Sequence, residues 1–254
     1  MDVGQSGSDA PGSPCILVFF YGGGLTRGAR SSPPSHLVYN NLGAFFASRG
    51  ILTVIPDYRL VPSITFPQGS EDIRDALNWV AKNLPSMQEV ERSRSNLFVL
   101  AHSAGGMHVC GFLLTPAMFS ASFVKQSLRG VALMGVPYEL YRAKPALRDA
   151  ATQYYGNVKS MQTNQPSCLL QRADAADIAV LPPVRNILAE SEPRSVSSSA
   201  TTFVQIFRGK GGSITEHKLV GHDHISPVMA LSTGTGEAWG EELVAWMHSF
   251  PSNV

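Results

Sequence analysis

The stretch Leu97 to Gly111, LFVLAHSAGGMHVCG, constrains the fold more than any other. It opens as a short apolar run, Leu97-Phe98-Val99-Leu100, of strand length. It turns through Ala101-His102-Ser103-Ala104-Gly105-Gly106 and resumes with apolar residues at Met107, Cys110, Gly111 and Leu114, a helical spacing. A strand, a tight turn with serine at its tip and a helix form the layout of a nucleophile elbow, G-x-S-x-G, with Ala101 in place of the first glycine. The turn forces backbone and helix together, so the residues two before and two after the serine must be small. Small residues after a strand also serve plain helix packing, so the motif alone does not decide the function.

Other buried-looking runs repeat the pattern. Cys15–Phe20 (CILVFF), Ile51–Ile55 (ILTVI) and Gly130–Gly135 (GVALMG) read as strands covered on both faces. Ser167–Gln171 (SCLLQ) and Thr202–Phe207 (TFVQIF) are expected to be strands as well, the latter the last strong one. Between them come helical patterns. Val38, Leu42, Phe45 and Phe46 precede Gly50; Ile73, Ala76, Leu77, Val80, Ala81 and Leu84 follow a cap expected at Ser70; Pro182-Pro183 is expected to start a helix through Val184, Ile187 and Leu188; Trp239, Leu243, Trp246, Met247 and Phe250 mark a closing helix. Ser195–Ser199 is expected as a surface loop. Strands alternating with helices predict a mostly parallel sheet with helices on both faces. Residues 136–166 lack a clear period and read as an excursion of one or two short helices bordering the site.

The 254 residues fit one α/β domain, 1–254, with a flexible N-terminus over 1–14. A hydrophobic content of 44% allows a sizeable core, and a net charge of +1 gives no sign of a nucleic-acid partner. No apolar run approaches the ~20 residues of a membrane span, and the polar start MDVGQSGSDAPGSP does not read as a signal peptide. Three cysteines without short spacing, Cys15, Cys110 and Cys168, fit neither a disulfide framework nor a metal site, so a reducing, cytoplasmic setting is expected. No cofactor is expected.

A serine hydroxyl needs a base, an orienter for that base and donors for the oxyanion. Ser103 sits at the elbow, Asp174 just beyond the expected strand at 167–171, and His224 in a loop after the last expected strand. Tyr21-Gly22-Gly23-Gly24 follows a buried strand with its backbone N–H groups unblocked by side chains, as an oxyanion hole requires. A phosphate loop is disfavoured, since no G-K-[ST] follows.

Taken together, YGGG at Tyr21–Gly24, DYRL at Asp57–Leu60, FPQGSEDIRDALNWV at Phe66–Val80, AHSAGG at Ala101–Gly106, RADAADI at Arg172–Ile178 and GHDHIS at Gly221–Ser226 resemble the α/β-hydrolase fold of the hormone-sensitive-lipase-like and kynurenine-formamidase-like group. The resemblance covers Cys15 to the C-terminus. It implies a serine hydrolase cleaving small carboxylic esters through an acyl-serine, with Ser103 as nucleophile, His224 as base, Asp174 as acid, and Gly23, Gly24 and Ala104 as oxyanion donors. Gly22 is the alternative donor. The D-x-x-D-I spacing favours Asp174 over Asp177, and the position at a helix start favours His224 over His222; both pairs stay open. His102 reads as a supporting residue and the Asp57/Arg59 pair as structural. An arylformamidase acting on N-formylkynurenine, an arylamide substrate, would use the same machinery. A hydrolase fold kept as a non-catalytic ligand-binding module is the reading from another class.

Two departures stand out. The group's usual histidine before the glycines is Tyr21 here. The first strong strand begins at Cys15, which leaves a reduced N-terminal edge and a small or absent cap. An uncovered edge strand would open the sheet to homodimer formation.

Overall fold

Six parallel strands in the order β2-β1-β3-β4-β5-β6 form the sheet of the computed structural model, which describes residues 15–31, 34–87 and 96–251. They are β1 (Cys15–Phe20), β2 (Leu52–Val54), β3 (Asn96–His102), β4 (Leu128–Met134), β5 (Val184–Ser191) and β6 (Ile214–Asp223). The helices in chain order are α1 (Leu37–Ala47), α2 (Gln68–Met87), α3 (Ala104–Leu113), α4 (Pro116–Phe119), α5 (Pro145–Tyr155), α6 (Val158–Asn164), α7 (Pro166–Arg172), α8 (Ala175–Ala179), α9 (Arg194–Gly209), α10 (Ser226–Ala230) and α11 (Ala238–His248). The expected flexible N-terminus, 1–14, lies outside the described residues.

Every residue of β1 and β3 is buried, as an apolar run without alternation requires of a strand covered on both faces. Helices α1 and α11 pack together, while α2 packs on α3, α3 on α7 and α7 on α9. Phe98 of β3 meets Trp246 and Phe250 at ring distances of 5.8 and 5.3 Å, which seats α11 and its tail on the sheet. An Arg49–Glu241 ion pair ties α1 to α11 at the surface.

The second half of the chain corrects the sequence expectation in four places. Residues 167–171 are helical, within α7, and not a strand. Residues 202–207 lie within α9, whose buried positions Val196, Ser199, Ala200, Phe203, Val204 and Phe207 follow a period of 3.6 residues. Its β-branched and aromatic content suggested a strand, yet burial of one helical stripe, with Phe203 stacked 3.9 Å from Tyr138, outweighs that propensity. The expected loop at Ser195–Ser199 is the start of this helix. Conversely, the expected helix after Pro182-Pro183 is β5, paired with β4 from Val131↔Val184 and with β6 from Val184↔Ile214. Apolar residues at positions 184, 187 and 188 suit either element; two flanking strands needing partners decide it. Helix α2 starts at Gln68, so Ser70 lies inside it and is not its cap.

The excursion after β4 holds α5, α6 and α7. Asp57 and Arg59 tie their loop to different neighbours: Asp57 accepts from the Tyr21 hydroxyl at 3.0 Å, and Arg59 binds Asp72 at the start of α2.

Candidate active site

The site is built at the carboxyl ends of four adjacent strands, β3 to β6, where ligands bind in open α/β sheets. Ser103 directly follows β3 with φ 51° and ψ −118°. A positive φ at a residue other than glycine stores roughly 1–3 kcal/mol of strain, held only where the surroundings over-determine it. Here the Ser103 N–H donates to the Met134 carbonyl at 2.9 Å, and the Ser103 carbonyl accepts from the Gly106 N–H at 3.0 Å as α3 begins. Gly105 makes this approach possible. A Cβ there would stand 2.5 Å from both the Phe20 and Tyr21 carbonyl oxygens, backbone against backbone.

His224 lies between β6 and α10. Its Nε2 is 3.0 Å from the Ser103 Oγ, and its Nδ1 is 2.7 Å from Oε2 of Glu192. Glu192 immediately follows β5, and its side chain is only 2% exposed. A buried carboxylate needs a partner, and the imidazole N–H supplies one. That fixes the tautomer: Nδ1 carries the proton, so Nε2 presents a lone pair to the serine. Space for the pair comes from Gly135, just past β4. Its φ is 57°, and a Cβ there would lie 2.8 Å from Oε1 of Glu192 and 3.0 Å from the His224 ring.

The loop carrying His224 is braced from both sides. The Asp223 carboxylate accepts from the N–H groups of Ile225 and Ser226, each at 2.9 Å, and the His102 Nε2–H donates to the His224 carbonyl at 2.8 Å. Burial, helped by neighbouring His224, pushes the His102 pKa down to about 4. His102 makes no hydrogen bond to Ser103 among the described residues, whereas His224 does, which leaves His102 the supporting place.

The structure therefore brings Ser103 and His224 together but not Asp174. With residues 167–171 helical, Asp174 is not at a strand end; it is the exposed N-cap residue of α8, and Asp177 follows in that helix's first turn. The carboxylate on His224 is that of Glu192, which the sequence reading passed over because β5 was expected as a helix. The signal was present: a short run after Pro182-Pro183, then an acid directly before Pro193. His222 bonds Ser226 through Nδ1 at 3.0 Å and makes no bond to Ser103.

The loop after β1 faces the serine. A Cβ on Gly22 would stand 3.0 Å from the Ser103 Cβ. The N–H groups of Gly23, Gly24 and Ala104 make no hydrogen bond among the described residues. Tyr21 anchors this loop. Its ring is stacked on Tyr58 at 4.7 Å and Tyr39 at 5.8 Å, its hydroxyl donates to Asp57, and its carbonyl accepts from the Tyr58 hydroxyl at 2.6 Å. A cleft of about 340 Å³ opens from Gly23 and Gly24 toward Lys144 and Leu147 at the start of α5. A larger one, about 610 Å³, lies by β2; neither cleft is lined by Ser103 or His224, and the smaller one meets the site through Gly23 and Gly24.

Comparison with known proteins gives a consistent picture. Residues 17–224 match the family model described as alpha/beta hydrolase fold. The tuliposide B-converting enzyme 1 of Tulipa gesneriana is 30% identical over 129 residues, 49% of this chain and 27% of that enzyme. A probable carboxylesterase of a Phoma species is 31% identical over 107 residues, 40% of this chain and 33% of that protein. The match thus spans about a third or less of either relative's length. Carboxyl esterase 2 of Tuber melanosporum superposes with a TM-score of 0.71 at 18% identity, covering 94% of this chain and 78% of the other, which speaks to the fold.

Proposed function

Because the chain belongs to the α/β-hydrolase fold family, we propose that Ser103, His224 and Glu192 hydrolyse small carboxylic esters through an acyl-serine intermediate. The observation that carries this reading is the pair of hydrogen bonds on one imidazole, 3.0 Å to the serine hydroxyl and 2.7 Å to a buried carboxylate.

The chemistry follows from that geometry. The Ser103 Oγ attacks the ester carbonyl carbon while its proton passes to the His224 Nε2. The imidazolium that forms is stabilised by Glu192 through the Nδ1–H. Negative charge gathers on the carbonyl oxygen, where the free N–H groups of Gly23, Gly24 and Ala104 are the donors in this reading. Collapse breaks the C–O bond to the alcohol, which leaves with the proton from Nε2. Water then attacks the acyl-serine with His224 again as base, releasing the acid and restoring Ser103.

The three free thiols, Cys15, Cys110 and Cys168, support placing the enzyme in a reducing compartment, the cytosol. No helix among the described residues is long and apolar enough to cross a membrane. A second copy would pair along the outer edge of β2, which has no further strand partner among the described residues.

The test is hydrolysis of a p-nitrophenyl ester series by the wild type and by Ser103→Ala. Loss of roughly 10³-fold or more in kcat is expected when a nucleophile is removed, together with loss of labelling by a fluorophosphonate. Undiminished turnover in the variant would overturn the assignment.

A further inference from the structure

The cleft that opens from Gly23 and Gly24 is lined by two cations, Arg27 and Lys144, and by no carboxylate. They come from different parts of the chain. Arg27 lies in the loop after β1, which is closed by a 3.1 Å bond from its own N–H to the Gly23 carbonyl; Lys144 directly precedes α5. Neither side chain has a hydrogen bond or ion pair among the described residues. Arg30, Arg49, Arg59, Arg74 and Arg208 each meet an acidic side chain, while Lys125, Arg148, Lys159 and Arg194 are also unpaired among the described residues, so what marks Arg27 and Lys144 is their shared place on one cleft. Nor does a generally basic surface account for them, since the chain carries a net charge of only +1. Two unshared cations across one cleft repel each other, and an anion between them relieves that repulsion while gaining charge-assisted hydrogen bonds.

Resting on the esterase reading, we infer that the substrate is an ester bearing a carboxylate remote from the scissile bond, held by Arg27 and Lys144 while the ester carbonyl reaches Ser103. The volume of about 340 Å³ suits a short chain or a single ring between the two ends. Leu147 and Ala146 give the same cleft an apolar wall, as such a spacer needs. Anchoring of this kind acts in the ground and transition states alike, so it lowers KM more than it raises kcat.

Two substrate pairs locate the charge. Mono-p-nitrophenyl glutarate against p-nitrophenyl pentanoate places the carboxylate on the acyl side; 4-acetoxybenzoate against 4-acetoxybenzamide places it on the leaving group. In one pair the anionic ester is expected to show kcat/KM about tenfold above its neutral partner at low salt, from two partly exposed ionic contacts. The advantage should reside mainly in KM and shrink with added salt. The double variant Arg27→Gln/Lys144→Gln should bring the ratio to about one, and Arg27→Lys/Lys144→Arg should retain it. Neutral esters hydrolysed as well as anionic ones in both pairs, or a ratio that the glutamine variants leave unmoved, would overturn the inference while leaving the esterase standing. Should no ester be hydrolysed, the esterase reading fails, and calorimetric binding of the same compounds to Ser103→Ala decides the charge question. Tighter binding of the anionic member, lost in the glutamine background, supports it; equal affinity overturns it.

Discussion

His224 is held at three points, by Ser103, by Glu192 and through its carbonyl by His102, and each contact has a separate measurable consequence. Glu192→Gln keeps the size of the side chain but lets the imidazole settle in the wrong tautomer. A fall in kcat of about 10³- to 10⁴-fold is expected, by analogy with the loss of a triad carboxylate elsewhere, whereas Asp174→Asn should stay within twofold of wild type in the same p-nitrophenyl ester assay. His102 and His108 carry a pH signature of a different kind. Burial pushes both down to about 4. The unfolded chain binds those protons near the reference value of about 6.5, the folded chain only near 4. Stability is therefore full above about pH 6.5, declines as the pH falls through the window, and levels off below about 4. Urea midpoints measured from pH 7.5 to 4 should fall, and the fall should be shallower in His108→Gln, which removes one of the two groups. At this scale the sequence was half legible. Ser103 and His224 could be found because glycines and neighbouring motifs flank them, but Glu192 has no motif of its own and is identified only by the strand it follows.

Among the elements, the loop from Tyr21 to Gly28 carries the chain from a buried strand to the face of Ser103. Its position depends on Tyr21. The phenol reaches Asp57, the ring is stacked against Tyr58, and the carbonyl is capped by the Tyr58 hydroxyl. Tyr21→Phe keeps the stacking and removes one hydrogen bond. A stability loss of about 1 kcal/mol is expected, with kcat lowered more than KM is raised, because the loop's aim matters most when charge develops. Gly105→Ala is harsher. Its methyl would meet two carbonyl oxygens at 2.5 Å, so the elbow and the Tyr21 loop must separate, and both folding yield and turnover should drop sharply. Element types were legible where one signal dominated. The first three apolar runs are strands, although that at 51–55 is cut to Leu52–Val54 and lies half-buried at the sheet edge instead of covered on both faces. In the region from 166 to 209 the composition and the period disagreed. TFVQIF has the composition of a strand inside the burial period of a helix, and VRNIL the spacing of a helix between two strands that need a partner. Burial of one helical stripe decided the first, and two strands needing a partner decided the second.

For the molecule as a whole, the fold class was legible because buried runs and amphipathic helices alternate over most of its length, and that alternation admits few architectures other than a covered parallel sheet. The strand order was not legible, since it depends on which edges meet in space. The sheet's hold on α11 is concentrated at Phe98, Trp246 and Phe250. Phe98→Ala removes the shared ring, and a loss of about 3–5 kcal/mol is expected, read as a lowered urea midpoint with an unchanged slope.

The bulge between Ala189 and Ser191, where β5 departs from simple pairing with β6, acts as a vernier for the whole machine. Neighbouring strands lead into Glu192 and His224, whose side chains meet at 2.7 Å, and one step along a strand is about 3.3 Å. That step exceeds the slack of any hydrogen bond. Deleting or inserting a single residue in β5 or β6 would therefore shift Glu192 or His224 out of reach, and it would also turn the side chains beyond the change to the opposite face of the sheet. Tolerance to length change in these two strands is therefore limited twice, by the contacts that join Glu192, His224 and Ser103 and by the packing of the layers.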